Sequence, residues 1–160
     1  MSHPNAALIE RLYAALDAKD GEGMASLYAP GATFEDPAFG RLEGAEVGDM
    51  WRMLCAQAGD LSASVTNVRA DDETGSADWR ADYTFSATGR FVENRIQATY
   101  RFRDGLIAEQ RDRFSIWRWS RQALGPVALA LGSNPVGASL IRRRARGQLA
   151  AWRRRQGSGE

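Results

Sequence analysis

The hydrophobic period of this chain changes once, near Leu61, and that change constrains the fold more than any other feature. Before it, apolar residues recur at three- and four-residue spacing, which predicts helices over residues 5–18 and 43–58. After it the period is two, and residues 77–85 and 96–102 alternate apolar with polar side chains, as half-buried strands do. Helices followed by strands predict an α+β fold in which three N-terminal helices cover one face of an antiparallel sheet.

Turn residues set the limits of the remaining elements. A short second helix is expected to carry residues 24–28 and to end at residues 30–31, a proline followed by a glycine. A strand over 32–36 follows it. The Asp-Gly pair at 104–105 predicts a tight hairpin, after which a last strand is expected over 106–118.

Composition excludes several classes of function. A chain of 160 residues with 44% hydrophobic content is long enough for one domain with a core of its own. The single cysteine, Cys55, can form no internal disulfide, and no apolar leader follows Met1, so a cytoplasmic protein is expected. The only histidine is His3, near the terminus, so neither a histidine-based triad nor a histidine-containing zinc site is available.

Charge divides the chain into an acidic body and a basic tail. Residues 1–116 carry 12 Lys and Arg against 19 Asp and Glu, a net −7, whereas residues 117–160 carry nine Arg against one Glu, a net +8. We therefore predict a domain over 1–120 and a basic extension over 121–160, with a helix from residue 135 to about 155. That helix could dock on its own domain or on a dimer partner, or lie on a membrane surface; nucleic acid is not expected, because no known binding module is present.

Asp36 is the first candidate catalytic residue. Proline at position 37 excludes the helical conformation for Asp36 and removes a backbone donor, so Asp36 is predicted to be the last residue of the strand. A carboxylate at the end of a strand, beside a pocket, is a candidate base. The alternative is a carboxylate that only accepts hydrogen bonds in an Asp-Pro turn.

Four segments together resemble one known superfamily. They are the end of helix one (residues 10–16), residues 27–29, the strand and proline at 32–37, and the sheet segment at 100–107. In these segments the chain resembles the nuclear transport factor 2-like superfamily, which includes ketosteroid isomerases and SnoaL-like polyketide cyclases. The resemblance implies a cone-shaped, curved sheet with an apolar pocket open at one end, and commonly a homodimer; the polar, arginine-rich outer face of the predicted strands is consistent with that dimer.

The same resemblance implies roles for individual residues. Asp36 matches the general base of ketosteroid isomerase, which also uses a tyrosine and a protonated aspartate as an oxyanion hole. Those two positions match Leu12 and Ala98 here, so steroid isomerisation by that machinery is not expected. Tyr13 follows Leu12 by one residue, and on a helix that step points its side chain about 100° away from the direction of Leu12.

Asp112 is the second candidate. On the predicted last strand Gln110, Asp112, Phe114 and Ile116 alternate onto one face, which should be the pocket face because of Phe114 and Ile116. SnoaL-like cyclases carry an acid/base aspartate on this strand, so the resemblance implies that role for Asp112. The alternative is a structural acid paired with an arginine.

The hypothesis that follows is a cofactor-independent isomerase, cyclase or lyase acting on an apolar carbonyl compound. No glycine-rich phosphate loop, paired cysteine motif or calcium loop occurs in the sequence, so no cofactor or metal is expected. A non-catalytic ligand-binding or dimeric assembly module is the alternative. Catalytic roles are predicted for Asp36 and Asp112, and substrate contacts for Tyr13, Trp51, Tyr83, Tyr100, Gln110 and Phe114.

Overall fold

A computed structural model describes residues 3–128 and 135–157, and it confirms the α+β fold. Five α-helices are described: α1 (Pro4–Asp17), α2 (Gly21–Ala25), α3 (Ala45–Ala56), α4 (Ile116–Leu124) and α5 (Pro135–Gly157). Six strands are described: β1 (Tyr28–Asp36), β2 (Gly40–Glu43), β3 (Ser62–Ala70), β4 (Thr74–Phe85), β5 (Arg90–Arg103) and β6 (Leu106–Arg113).

The six strands form one sheet in the order β2-β1-β6-β5-β4-β3. Neighbouring strands are antiparallel, as predicted, except that β1 and β6 run parallel. The turn between β5 and β6 is the predicted hairpin, with Asp104 and Gly105 both at positive φ (54° and 77°), as a two-residue turn of this kind requires.

The core lies between helices α1 to α3 and one face of the sheet. Leu12 and Tyr13 of α1, Trp51 of α3 and the alternate residues Ala77 and Trp79 of β4 are buried in one cluster. The polar residues that alternate with them on β4 turn to the opposite face of the sheet. The change of hydrophobic period near Leu61 therefore corresponds to the two sides of one core.

Two predicted boundaries are wrong. The helix expected to run to residue 28 ends at Ala25, and the strand expected from residue 32 already begins at Tyr28. Pro30 and Gly31, expected to end the helix, instead lie at an irregularity within that strand. Gly31 has φ 75° there, a conformation that favours glycine.

The last strand also ends earlier than predicted. It stops at Arg113, because the side chain of Ser115 accepts a hydrogen bond from the amide of Arg118 (3.1 Å) and so caps α4. Ile116, expected on the pocket face of a strand, therefore begins a helix. Residues 129–134, within the predicted basic extension, lie outside the described residues.

The predicted C-terminal helix is confirmed as α5, and it packs against the rest of the chain. Leu149 is 2% exposed and belongs to the core cluster. Arg153 donates to Asp49 on α3 (2.9 Å), and Arg146 donates to the backbone oxygens of Phe39 (3.0 Å) and Arg41 (2.8 Å) beside the β1–β2 turn. None of the helices in the described part of the chain is long and apolar enough to cross a membrane.

Replacement of Leu149 tests this packing. Leu149→Ala should lower the free energy of unfolding by about 2–4 kcal/mol, because it removes a buried side chain without removing helix propensity. Leu140, on the same helix, is 47% exposed, and Leu140→Ala should change stability by less than about 0.5 kcal/mol. Urea unfolding followed by circular dichroism measures both variants, and equal unfolding midpoints for the two would show that α5 is not packed as described.

Candidate active site

Strand pairing brings the two predicted carboxyl groups together. In the parallel pair β1–β6, Phe34 lies opposite Gln110 and Glu35 opposite Arg111. Asp36 and Asp112 occupy the next position along each strand and face the same side of the sheet as Phe34 and Gln110. On the other side of Asp112 its partner in β5 is the small residue Ala98.

Asp36 is partly buried at the end of β1. Its Oδ1 accepts hydrogen bonds from the backbone amides of Ala38 (2.9 Å) and Phe39 (2.6 Å). Asp36 therefore does accept hydrogen bonds in the turn, as one of the two predicted roles requires, but both bonds go to the same carboxylate oxygen. Burial raises the pKa of Asp36 to about 6, although the two amides and the charge of Arg142 act to lower it.

Asp112 lies deeper and is only 3% exposed. Its Oδ1 accepts a hydrogen bond from Gln110 Nε2 at 3.0 Å. Burial raises the pKa of Asp112 to about 8; Gln110 lowers it, Asp36 raises it further, and the indole of Trp79 lowers it. No salt bridge joins Asp112 to an arginine of the described residues, so the alternative of an arginine-paired structural acid finds no support there.

A chain of buried hydroxyl and amide groups surrounds Asp112. The hydroxyls of Tyr13 and Tyr100 are hydrogen-bonded to each other, and Gln110 Nε2 also donates to Tyr13 at 3.5 Å. Tyr28 donates to Gln110 Oε1 and accepts from Trp51 Nε1 at 2.8 Å. Burial raises the pKa of all three tyrosines well above their usual value, so they remain neutral donors near pH 7.

Trp79 adds a donor that lacks a well-formed hydrogen bond. Its indole Nε1 is buried and has no hydrogen-bond partner within the usual distance among the described residues, although a weaker donor interaction with Asp112 lowers the pKa of that carboxyl. The ring packs against Tyr13 (5.0 Å between centroids) and Trp51 (6.3 Å). A buried donor without a partner is uncommon, and a ligand or water oxygen in the site would satisfy it.

Most of the predicted contact residues lie around this centre, with two differences. Tyr13, Tyr100 and Gln110 lie around Asp112, and Trp51 joins the same hydrogen-bond chain through Tyr28. Tyr83 instead lies near Asp36, and burial together with the charge of Asp36 raises the pKa of Tyr83. The Tyr83 hydroxyl accepts a hydrogen bond from Trp119 Nε1 at 2.7 Å. Phe114 lies beyond the end of β6, half-buried against the core and beside a groove that Arg113 and Ser115 also line.

Sequence reasoning missed Tyr28 and Trp79. Trp79 belongs to the alternating apolar positions of β4, but nothing in that pattern separates a core tryptophan from one near a carboxyl group. The sequence pattern predicts a helix at Tyr28. The clearest signal for it was the proline-glycine pair at 30–31, which also suits an irregular strand.

The two carboxyl groups differ in protonation at neutral pH. At pH 7 a carboxyl with a pKa of about 6 is mostly ionised and can accept a proton, whereas one with a pKa of about 8 is mostly protonated and can donate. Among the described residues no group of three or more His, Cys, Asp and Glu side chains could hold a metal ion.

Solved structures share this fold at low sequence identity. IdmH of Streptomyces antibioticus, a proposed polyketide cyclase, is 23% identical, with a TM-score of 0.63 over 75% of this chain and 97% of its own. A LEH-like epoxide hydrolase from M. tuberculosis is 18% identical, with a TM-score of 0.62 over 81% of this chain and 97% of its own. TerC, co-crystallised with polyporic acid, is 18% identical, with a TM-score of 0.59 over 70% of this chain and 92% of its own.

More than half of the chain matches the sequence model of one domain family. No curated protein matches the sequence significantly. The sequence model of the SnoaL-like domain, however, matches residues 9–110, from α1 into β6. That match spans more than half of the chain and includes the strands that hold Asp36 and Gln110. On this basis the chain belongs to the SnoaL-like domain family, within the nuclear transport factor 2-like fold.

Proposed function

We propose that this protein is a cofactor-independent acid–base catalyst, an isomerase, cyclase or lyase, that acts on an apolar carbonyl compound. The observation that carries the proposal is the pair of neighbouring carboxyl groups whose pKa values lie on either side of neutrality. Two titratable groups whose environments separate their pKa values are typical of an acid–base site. Family membership is consistent with small-molecule chemistry but does not specify a reaction.

Asp36 is the base in this proposal and Asp112 is the acid. The Asp36 carboxylate removes a proton from the carbon next to the substrate carbonyl, and the electron pair moves onto the carbonyl oxygen. Asp112 donates its proton to that oxygen, so the intermediate is a neutral enol. In an isomerisation, Asp36 returns its proton to another carbon of the enol. In a cyclisation, the enol carbon attacks a second carbonyl carbon of the substrate, the electron pair of that C=O bond moves onto its oxygen, and Asp36 gives its proton to that oxygen. In a lyase reaction, the bond to a group on the next carbon breaks instead, and Asp36 protonates the departing group. In each case the carbonyl re-forms and Asp112 takes back its proton from the enol oxygen.

Aromatic and amide groups orient the substrate. Tyr13 and Tyr100 provide neutral hydroxyls, and the unpartnered indole N–H of Trp79 provides a further donor toward the oxygen that Asp112 protonates. This set would replace the oxyanion pair whose positions are filled here by Leu12 and Ala98. Donors held in place before the reaction stabilise developing charge without reorganisation.

A ligand-binding protein without turnover is the second candidate. The near-complete burial of Asp112 and Gln110, which is 2% exposed, favours it, since a substrate must displace packed side chains to reach them. In that case the carboxyl groups would still titrate as described, but proton exchange with a bound carbonyl compound would not occur. The homodimer, and a role for the basic helix at a membrane, stay predictions.

Proton exchange distinguishes the two candidates. The wild-type protein should catalyse exchange of deuterium from solvent into 2-tetralone, an apolar ketone, with a bell-shaped pH profile whose limbs lie near pH 6 and pH 8. Asp36→Asn should lower the rate by about 100-fold or more, because it removes the base. Asp112→Asn should lower it less and remove the alkaline limb, and mass spectrometry measures the incorporation.

Glu35→Gln is the matched control, because Glu35 is the neighbouring carboxylate on β1 and pairs with Arg111 (3.5 Å) instead of Asp112. Its rate should equal that of the wild type. Exchange no faster than in buffer, in a protein that binds the ketone, would support the non-catalytic candidate instead.

The pH dependence of stability tests the pKa of Asp112 without any substrate. Its folded pKa is raised above the usual 3.8, so its contribution is fully present below that value and is lost as pH rises toward 8. Between pH 5 and pH 7 the wild type should therefore lose about 2–3 kcal/mol of unfolding free energy through this group, a loss that Asp112→Asn should not show. Urea unfolding at both pH values measures the difference, and parallel changes in the two proteins would mean that Asp112 is not held protonated.

A further inference from the structure

The C-terminal helix α5 lies over the Asp36 end of the site. Arg146 donates to the carbonyl oxygens of Phe39 and Arg41, on either side of Gly40. Gly40 has φ 70°, and a Cβ there would lie 3.0 Å from Cδ of Arg142, so the methylene groups of Arg142 lie directly against this glycine. The helix is therefore positioned against the turn that follows Asp36.

Arg142 differs from the other arginines of α5 in its surroundings. Arg146 and Arg153 are engaged by backbone oxygens and by α3 carboxylates, and Arg143 is exposed. Arg142 is half-buried and lies against Gly40, the residue that pairs with Asp36 between β1 and β2, and its charge acts to lower the pKa of Asp36. Among the described residues its guanidinium makes no hydrogen bond and no ion pair within 4 Å, which leaves its fork of donors available.

Among the described groups that shift the pKa of Asp36, Arg142 is the cation, since Arg146 is engaged by the backbone oxygens of the turn. Asp112 is an acid and Tyr83 is a neutral phenol, and Arg142 is the charged group that acts to lower the pKa of Asp36. An ionised Asp36 would repel an acidic ligand, and Arg142 would offset that repulsion. A guanidinium fork also matches the two oxygens of a carboxylate better than any other cationic side chain.

We propose that Arg142 is a specificity-determining residue that binds a carboxylate group of the ligand, so that the site takes apolar acids in preference to neutral compounds of the same shape. The matched SnoaL-like segment ends at residue 110, so α5 supplies this group from outside it. The inference rests on the proposed function, because it places the carboxylate at the Asp36 end and the reacting carbonyl near Asp112.

A matched pair of probes tests the proposal. By isothermal titration calorimetry at pH 7.5, wild-type protein should bind 2-naphthoate roughly tenfold or more tightly than the isosteric 2-naphthamide, as a charge-assisted hydrogen bond predicts. Arg142→Gln should abolish the preference by weakening naphthoate binding alone, and Arg142→Lys should retain part of it. Arg143→Gln, which removes the next arginine of the same helix, should leave both affinities unchanged.

Two further readouts separate ligand binding from a structural role. Arg142→Gln should leave the unfolding midpoint near that of the wild type, and should raise the pKa of Asp36 in a carbon-13 titration of its carboxyl. Equal affinity of the wild type for the acid and the amide, binding of neither at millimolar concentration, or a preference that survives Arg142→Gln would overturn the proposal. Any of these would leave the exchange test of Asp36 and Asp112 unaffected, so the two proposals can fail separately.

Discussion

The parallel pairing of β1 with β6 is the constraint on which the rest of the site depends. Its register sets Phe34 beside Gln110, and therefore Asp36 beside Asp112, on the face of the sheet that the helices cover. A slip of one residue in either strand would turn one carboxyl group to the open face. Two buried carboxyl groups this close resist simultaneous ionisation, since burial and mutual repulsion both favour the protonated form. The register thus places the two groups together, whereas the deeper burial of Asp112 and the amide hydrogen bonds to Asp36 determine which group holds a proton at neutral pH.

Burial of Asp112 is tolerable because the group is neutral and because its neighbours satisfy one another. An ionised carboxylate in an aromatic core would require a cation or several donors, whereas a protonated one needs few partners. The amide of Gln110 bonds at both ends, donating to Asp112 and accepting from Tyr28, and Tyr28 in turn accepts from Trp51. This chain fixes the orientation of Gln110 and so aims its N–H at the carboxyl. Trp79 then stands out, because its N–H is the buried donor that the described residues leave unpaired.

Local signals were enough to predict both carboxyl groups but not their environment. Asp36 could be found because Pro37 ends the strand at that residue, and Asp112 because alternation sets its side of the sheet. The arginines that flank Asp112 in sequence point to the other face of the sheet. Whether a more distant arginine pairs with Asp112 can therefore be decided only from the folded sheet. Tyr28 was missed for a related reason. Its strand is irregular at Pro30, and only its pairing with β6, nearly 80 residues away, shows that its hydroxyl meets Gln110.

Part of the basic tail is neutralised by acidic residues of the protein's own body. Arg153 of the basic helix lies between two acidic residues of α3, Asp49 at 2.9 Å and Glu46 at 4.0 Å. Such exposed ion pairs contribute only about 0–1 kcal/mol each, so burial of Leu149 provides more of the stabilisation. What the ion pairs and the Arg146 hydrogen bonds add is orientation, because they are directional, whereas the apolar contacts of Leu149, Ala145 and Trp152 are not. Fixed in this orientation, α5 presents Arg142 at the one end of the site where an ionised carboxylate needs a cation nearby.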